Sequence, residues 1–392
     1  MNITETATTE NRVICAKCVM DTTDPNIQFD EDGICNHCRS YDQIVKGAVF
    51  SGEDGLQKLG AIVENIKQEG ANKQYDCIVG VSGGVDSTYV AYKVKELGLR
   101  PLAVHLDNGW DSELAVKNIE NTLTILGIEL YTHVIDWPEF RDIQLSFLKA
   151  STPDAEIPSD HAINALIYQT AKRLGIKYMI SGENHRTETH LPAAWSRGHL
   201  DWKYIRSVHK QFGSVPIKTF PHLNFKLQLH GYGQYKKIEI LNYLDYVKKD
   251  AMQVLEKELG WKYYGGKHYE SIYTRFYQGY ILPKKFGYDK RKSHLSSLIC
   301  SGEITREEAL RELENETYPI DLQEQDREYV IKKLGLTEES FEALMNLPKK
   351  SFWDYDSYAN LMQSKIYKSA RTVYRAIKYK TLPVASADER KI

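Results

Sequence analysis

No apolar run in the 392-residue sequence approaches the roughly 20 residues that a membrane-spanning helix needs. Neither sign of charge dominates: 51 Lys and Arg stand against 53 Asp and Glu, a formal net charge of −2. That balance argues against a general nucleic-acid or anionic-membrane binder, while allowing local basic patches. There is no internal repeat, and no low-complexity tract beyond the polar opening MNITETATTENR, which reads as a loose tail rather than a charged-then-apolar leader. Cysteine is scarce, six in all, and four fall in two close pairs rather than scattered as in a disulfide scaffold. These absences describe a soluble, cytoplasmic chain. The hydrophobic share of 42% is enough for a large core and excludes general disorder.

From about residue 56 to 185 the pattern alternates between strand and helix. Candidate strands are Cys77–Val81, Leu102–Leu106, Leu130–Ile135 and Tyr178–Ser181. Between them, Val90, Ala91, Val94 and Leu97 share one helical face, and Ile163, Leu166, Ile167, Ala171 and Leu174 another. Gly98 and Gly175 stand where helices stop. Such alternation implies an α/β fold, a doubly wound parallel sheet covered on both sides. Residues 195–240 are aromatic and basic without a period and suggest long loops; after about 240 helical signals dominate. Thr305 and Glu308 fit a capping box ahead of EEALRELE, and the final VASADERKI reads as frayed.

The stretch CIVGVSGGVDSTYVA, residues 77–91, runs from an apolar strand through two adjacent glycines into a helix. At the carboxyl end of a parallel strand, a helix N-terminus presents unpartnered amides and a partial positive charge, which suits phosphate. Gly83 and Gly84 let the backbone approach an anion, and Ser82, Ser87 and Thr88 add hydroxyls. Asp86 would repel phosphate unless Mg²⁺ lies between them. The Walker A lysine is missing, and Gly80, Gly83 and Gly84 have the wrong spacing for G-x-G-x-x-G. What remains, S-G-G-x-D-S after a strand, resembles the signature of the PP-loop ATP pyrophosphatases.

Cys15 and Cys18 (CAKC), then Cys35 and Cys38 (CNHC), have 16 residues between the pairs, the spacing of a four-thiolate zinc site. Four thiolates close a tetrahedral shell, so the site reads as structural. An iron–sulfur cluster or two disulfides are the rivals. His37 reads as a bystander, and Cys77 and Cys300 as packing.

The segment Lys284 to Lys292 holds Lys284, Lys285, Lys290, Arg291 and Lys292 against Asp289 alone, with Arg275, His268 and His294 near in sequence. Each could be a solvated basic group, but together they suggest an anion site.

Four stretches, CAKCVMDTT…FDEDGICNHC, VGVSGGVDST, EIPSDHAINA and YESIYTRFYQGYILPKKFGYDKRKSHLSSLICSGEITREEA, together resemble N-acetyl sugar amidotransferases of bacterial surface-polysaccharide (O-antigen) and nonulosonate biosynthesis. The resemblance runs from about Cys15 past Arg306. It implies a zinc-binding segment over 1–55, a PP-loop domain over 56–300 and a helical region over 301–392. It further implies an ATP-dependent, AMP-forming ligase that turns a sugar's acetamido group into an acetamidino group.

On that resemblance Ser82, Gly83, Gly84, Ser87 and Thr88 would hold pyrophosphate, with Asp86 on Mg²⁺. His105 and Asp107, in VHLDNGW, would border adenosine, and Gly182, in SGENHRTE, would belong to the second loop, where Glu183 and Glu188 read equally as helix-start acids. Lys285 and Arg291 would stabilise moving phosphate charge. ATP, Mg²⁺ and Zn²⁺ are the implied cofactors. Asp160 or His161 would take a proton, unless Asp160 merely caps its helix.

Position 2 is Asn2, not a cysteine nucleophile, and neither Cys77 nor Cys300 sits in a glycine-flanked elbow. The resemblance therefore implies partners, a glutaminase subunit and a cyclase-like barrel conducting ammonia. A PP-loop tRNA-thiolating enzyme and a non-catalytic nucleotide-binding scaffold are the alternatives.

Overall fold

The computed structural model describes residues 12–224 and 234–359. The polar tail through residue 11, part of the 195–240 stretch and the carboxyl end VASADERKI lie outside the described residues. Four strands fall where apolar runs predict them: Cys77–Gly80 (β1), Pro101–Asp107 (β2), Glu129–Val134 (β3) and Tyr178–Ser181 (β4). A fifth, Lys236–Glu239 (β5), has the sequence KKIE and no apolar run to announce it. The sheet order is β3-β2-β1-β4-β5, with every pairing parallel.

Alternation along the central strands builds two cores. Ile78, Leu102, Val104 and Met179 enter one, while Cys77, Val79, Ala103 and Ile180 enter the other. Helix Ile157–Leu174 lies across β2, β1 and β4 on the first face. Helices Gly52–Gly70, Val85–Glu96 and Lys248–Leu259 fill the second with Leu59, Val63, Val90, Val94 and Leu255.

Local signals set the helix ends. Ser112 Oγ accepts the Ala115 amide at 3.2 Å to open Glu113–Leu126, and Asp136 accepts from Glu139 at 3.0 Å to open Trp137–Ala150. Thr305 and Glu308 form the expected capping box ahead of Arg306–Glu314. On Ile157–Leu174 the expected apolar face is only half right. Leu166 and Ala171 are buried, but Ile163 and Leu174 are 38% and 37% exposed.

Within 195–240, a helix spans Trp202–Phe212 where loops are expected. Trp202, Tyr204, Ile205 and Val208 are its buried side chains, and Tyr204 rests on Phe147 at 5.5 Å between ring centroids. That spacing carries a helical period, masked by the polar and basic residues between.

Helices Ile320–Leu334 and Glu338–Met345 share the first core: Val330, Ile331, Leu334 and Phe341 pack with Phe276, Tyr277 and Ile281. The last two belong to a π-helical segment, Tyr277–Phe286, which contains Pro283. Proline lacks an amide hydrogen and its ring displaces the carbonyl four residues back. That carbonyl, of Gly279, accepts from Thr317 Oγ1 at 2.5 Å. Among the described residues no helix is long and apolar enough to cross a membrane.

Candidate active site

The loop 82–84 leaves the carboxyl end of β1 and enters helix Val85–Glu96, whose N-cap, Gly84, has no side chain to satisfy the first amides. Gly83 has φ +77, and a Cβ there would meet the Ala115 carbonyl oxygen at 2.6 Å, so glycine is required. Trp261 Nε1 donates to the Gly83 carbonyl at 2.9 Å and holds the turn from behind. Ser87 Oγ accepts the Ser82 amide at 3.2 Å, and the Ser82 hydroxyl accepts the Gly84 amide at 3.3 Å. Thr88 is buried, so among the hydroxyl residues only Ser82 and Ser87 reach the surface of the loop.

Gly182, just beyond β4, lies against the first turn of this helix. A Cβ there would sit 3.0 Å from the Asp86 carbonyl carbon and 3.1 Å from the Ser87 nitrogen. The segment from Gly182 to Glu188 is irregular, so Glu183 and Glu188 do not open a helix. They pair with Lys237 at 2.6 Å and Lys267 at 3.1 Å.

Asp86 Oδ1 accepts from the Tyr246 hydroxyl, and burial together with this carboxylate pushes the Tyr246 phenol far up. Glu270 closes the other side: its Oε1 lies 3.8 Å from where a Gly84 Cβ would be. Its Oε2 is buried without any hydrogen-bond partner. An orphaned carboxylate oxygen close to the glycine turn, with Asp86 in the helix turn that follows, offers hard oxygen donors of the kind that suit a divalent cation.

His105 and Asp107 stand on β2 and line a cavity of about 520 Å³ that also borders Gly109, Asp111 and Leu130. His105 Nδ1 donates to the Val81 carbonyl at 2.9 Å, and Nε2 faces Asp111 Oδ2 at 3.1 Å. Burial opposes charge on this ring, but Asp111 and the carbonyl outweigh it and raise the pKa.

A second polar cluster forms where EIPSDHAINA meets the 278–290 stretch. Glu156 Oε2 accepts from Gln278 at 2.7 Å and Lys290 at 3.3 Å. His199 Nε2 stands 3.4 Å from Asp154 and 3.5 Å from Asp160. Desolvation in this cleft, with Asp154 and Glu156 close by, pushes the Asp160 carboxyl up to about 6 despite His199. Asp160 does not cap its helix: the N-cap is Glu156, without a side-chain cap bond. His161 is not placed to receive a proton. Its Nδ1 donates to the His199 carbonyl at 2.8 Å and its Nε2 accepts the Leu223 amide at 3.0 Å, while burial holds its pKa down to about 4.

The cations of 284–292 do not gather into one anion site, whereas His268 stands 3.5 Å from Glu270 beside the turn. Lys285 is buried and donates to the Leu344 carbonyl, with burial pulling its pKa down to about 8. Arg291 pairs with Asp289 at 2.8 Å and binds the carbonyls of Glu312, Asn315 and Glu316 at 3.1–3.2 Å. Lys284 sits over the Tyr280 ring at 3.9 Å, Lys292 pairs with Asp21, and Arg275 grips Asp326 with two bonds of 2.7 Å. None of these contacts is with residues 82–88. Lys285 and Arg291 are brought to packing and capping positions because the carbonyls and carboxylates nearest them are already there.

Cys15, Cys18, Cys35 and Cys38 converge, fully buried, with Cys15–Cys38 and Cys18–Cys35 sulfur separations of 3.9 and 3.7 Å. Those are the edges of a tetrahedron with bonds of about 2.3 Å, as around zinc. Backbone amides of Cys18, Met20 and Cys35 point at the sulfurs at 3.2–3.5 Å. The turn before the second pair uses Gly33 at φ +72, and His37 is taken by Asp24 at 2.7 Å.

Sequence reasoning missed Tyr246, Trp261 and Glu270 as neighbours of the loop. Tyr246 lies 160 positions from Asp86 and Trp261 178 from Gly83, and nothing local marks them.

An uncharacterized protein of Methanocaldococcus jannaschii is 24% identical over 326 residues, covering 81% of this chain and 99% of that protein. Among solved structures, an NMN synthetase from Francisella tularensis is 15% identical, with a TM-score of 0.35, covering 64% of this chain and 93% of that one. An NH3-dependent NAD synthetase from Campylobacter jejuni, in complex with the nitrate ion, is 18% identical, with a TM-score of 0.28, covering 51% and 83%. A family model for the C-terminal domain of WbpG-like LPS biosynthesis proteins matches residues 270–371, beginning at the glutamate that flanks the loop.

Proposed function

We propose that this protein is an ATP-dependent, AMP-forming amidotransferase acting on the acetamido group of an N-acetylated, nucleotide-linked sugar. The observation that carries the reading is the glycine-serine turn at the end of β1, opening a helix without a side-chain cap, between Asp86 and the orphaned oxygen of Glu270.

Amide oxygen is a poor leaving group, so ammonia cannot displace it directly. In the proposed reaction that oxygen attacks the α-phosphorus of ATP, and the bond between the α-phosphorus and the bridging oxygen breaks. Pyrophosphate leaves into the turn, where the amides of the first helical turn and the Ser82 and Ser87 hydroxyls receive its charge. Asp86 and Glu270 would hold Mg²⁺, which neutralises phosphate charge. The cavity beside His105 and Asp107 has room for adenosine.

Ammonia then adds to the adenylated carbon and gives up a proton, and AMP departs with the former amide oxygen. Asp160, with its carboxyl raised to about 6, is suited to accept that proton. The sugar would lie over the Asp154–Glu156–Lys290 cluster, where two of the stretches that resemble amidotransferases meet. Zinc on the four cysteines would fasten the amino-terminal segment. Ammonia would come from a glutaminase through a barrel-shaped partner, because free ammonia at neutral pH is mostly protonated.

The test is to incubate the chain with ATP, Mg²⁺, an ammonium salt and UDP-linked N-acetyl sugars. Equal amounts of AMP, pyrophosphate and a sugar carrying NH in place of O support the reading; failure to form AMP with any acceptor overturns it. Glutamine should serve as nitrogen donor only when the partners are added.

A further inference from the structure

Two side chains beside the four-cysteine group, Cys300 and His190, have no part in the reaction above. Cys300, on helix Lys290–Ser301, places its sulfur 3.7 Å from that of Cys38 and 3.6 Å from His190 Nε2. A tetrahedral ion with bonds of about 2.3 Å to sulfur and about 2.0 Å to nitrogen sets its ligand atoms roughly 3.5–3.8 Å apart. Both separations match, and the three ligand atoms all lie within 4.8 Å of one another.

The tautomer of His190 agrees. Ser297 Oγ donates its hydrogen to the Ser293 carbonyl at 3.2 Å, so toward His190 it can only accept. It accepts from the His190 amide at 3.3 Å and from Nδ1 at 3.0 Å. Nδ1 therefore carries the proton, and the Nε2 lone pair is directed at the Cys300 side. A ligating histidine is held by its outer neighbour in this way.

We propose that Cys38, Cys300 and His190 bind a second zinc-class divalent ion, the Cys38 thiolate bridging it to the ion on Cys15, Cys18 and Cys35. The inference rests on the four cysteines being a metal site. Three protein ligands leave a fourth position, and Cys300, only partly buried, leaves room for water there. Five thiolates and two divalent ions leave one negative charge, beside Lys17 and beside Arg306, which binds the Cys15 and Cys18 carbonyls at 3.1 Å. Such a pair of ions ties the segment after β4, which carries Glu188, and the helix that carries Lys290 to the amino-terminal knuckle. Both border the proposed reaction site.

The test is zinc per chain, by inductively coupled plasma mass spectrometry, on the full chain saturated with zinc and then desalted. Two ions are expected in the wild type and one in Cys300→Ser and His190→Gln, with circular dichroism unchanged. With ¹¹³Cd in place of zinc, two coupled resonances are expected, the coupling passing through the shared sulfur. One ion in the wild type, unchanged by Cys300→Ser, overturns the second site and leaves the four-cysteine site standing. No ion in the wild type overturns both, and two ions retained in both variants overturns the ligand assignment. If a variant fails to fold, the wild-type count and the cadmium coupling decide alone.

Discussion

The turn at 82–88 and the cation-rich segment at 284–292 both look like anion sites in sequence, and only one is left open by the fold. At the turn, the helix start lacks a side-chain cap for its amides, and Glu270 keeps a buried oxygen without a partner for the cation that would accompany the anion. In the basic segment Lys285, Lys290, Arg291 and Lys292 are each engaged by a carbonyl or carboxylate of the chain. A charge that already has its partner gains little from a ligand, because binding must first break the existing pair. Unspent hydrogen-bonding capacity, rather than charge density, separates the two regions.

The sharpest way to break this contrast is Asp86→Asn. Loss of the carboxylate proposed to hold Mg²⁺ is expected to lower AMP formation about 1,000-fold, with the fold retained by circular dichroism. A variant that keeps wild-type turnover would move the chemistry away from the turn.

Next in size is the acid response of His161, a buried group already spent on two hydrogen bonds. Its pKa lies near 4 when folded and near the usual 6.5 when unfolded, so between those values the unfolded chain binds more protons. Stability should therefore fall by about 3 kcal/mol as pH drops from 6.5 to 4, and the fall should be shallower in His161→Gln. Urea midpoints at several pH values measure it.

Arg291→Ala should cost about 2 kcal/mol of stability, because the carbonyls of Glu312, Asn315 and Glu316 lose their donor. KM for ATP should stay within about twofold of wild type, a change worth less than 0.5 kcal/mol. A large rise in KM without loss of stability would return Arg291 to the phosphate site. The smallest effect belongs to Lys284→Ala, whose ring contact with Tyr280 is worth about 0.5–1 kcal/mol and which should leave turnover unchanged.

Much of the fold was legible because central parallel strands are buried on both faces and show as unbroken apolar runs such as CIVG and YMIS. The edge strand KKIE was not, since pairing with β4 rather than composition makes it a strand. The cysteine pairs and the glycine-serine turn were legible for the same reason as the capping box at Thr305: each is set by residues a few positions apart. Lys285 and Arg291 were misread because their partners, Leu344 and residues 312–316, are distant in sequence.

By itself, then, the sequence determined the pieces whose geometry closes within a short window: a strand leading into an uncapped helix, two thiol pairs, helix starts and stops. Tertiary structure decided which charges remain available, bringing Glu270 and Tyr246 to the turn and Cys300 and His190 to Cys38 across 262 and 152 positions of chain. Local backbone preference acts between neighbours, whereas the pairing of polar groups is settled only when remote segments meet in the packed core.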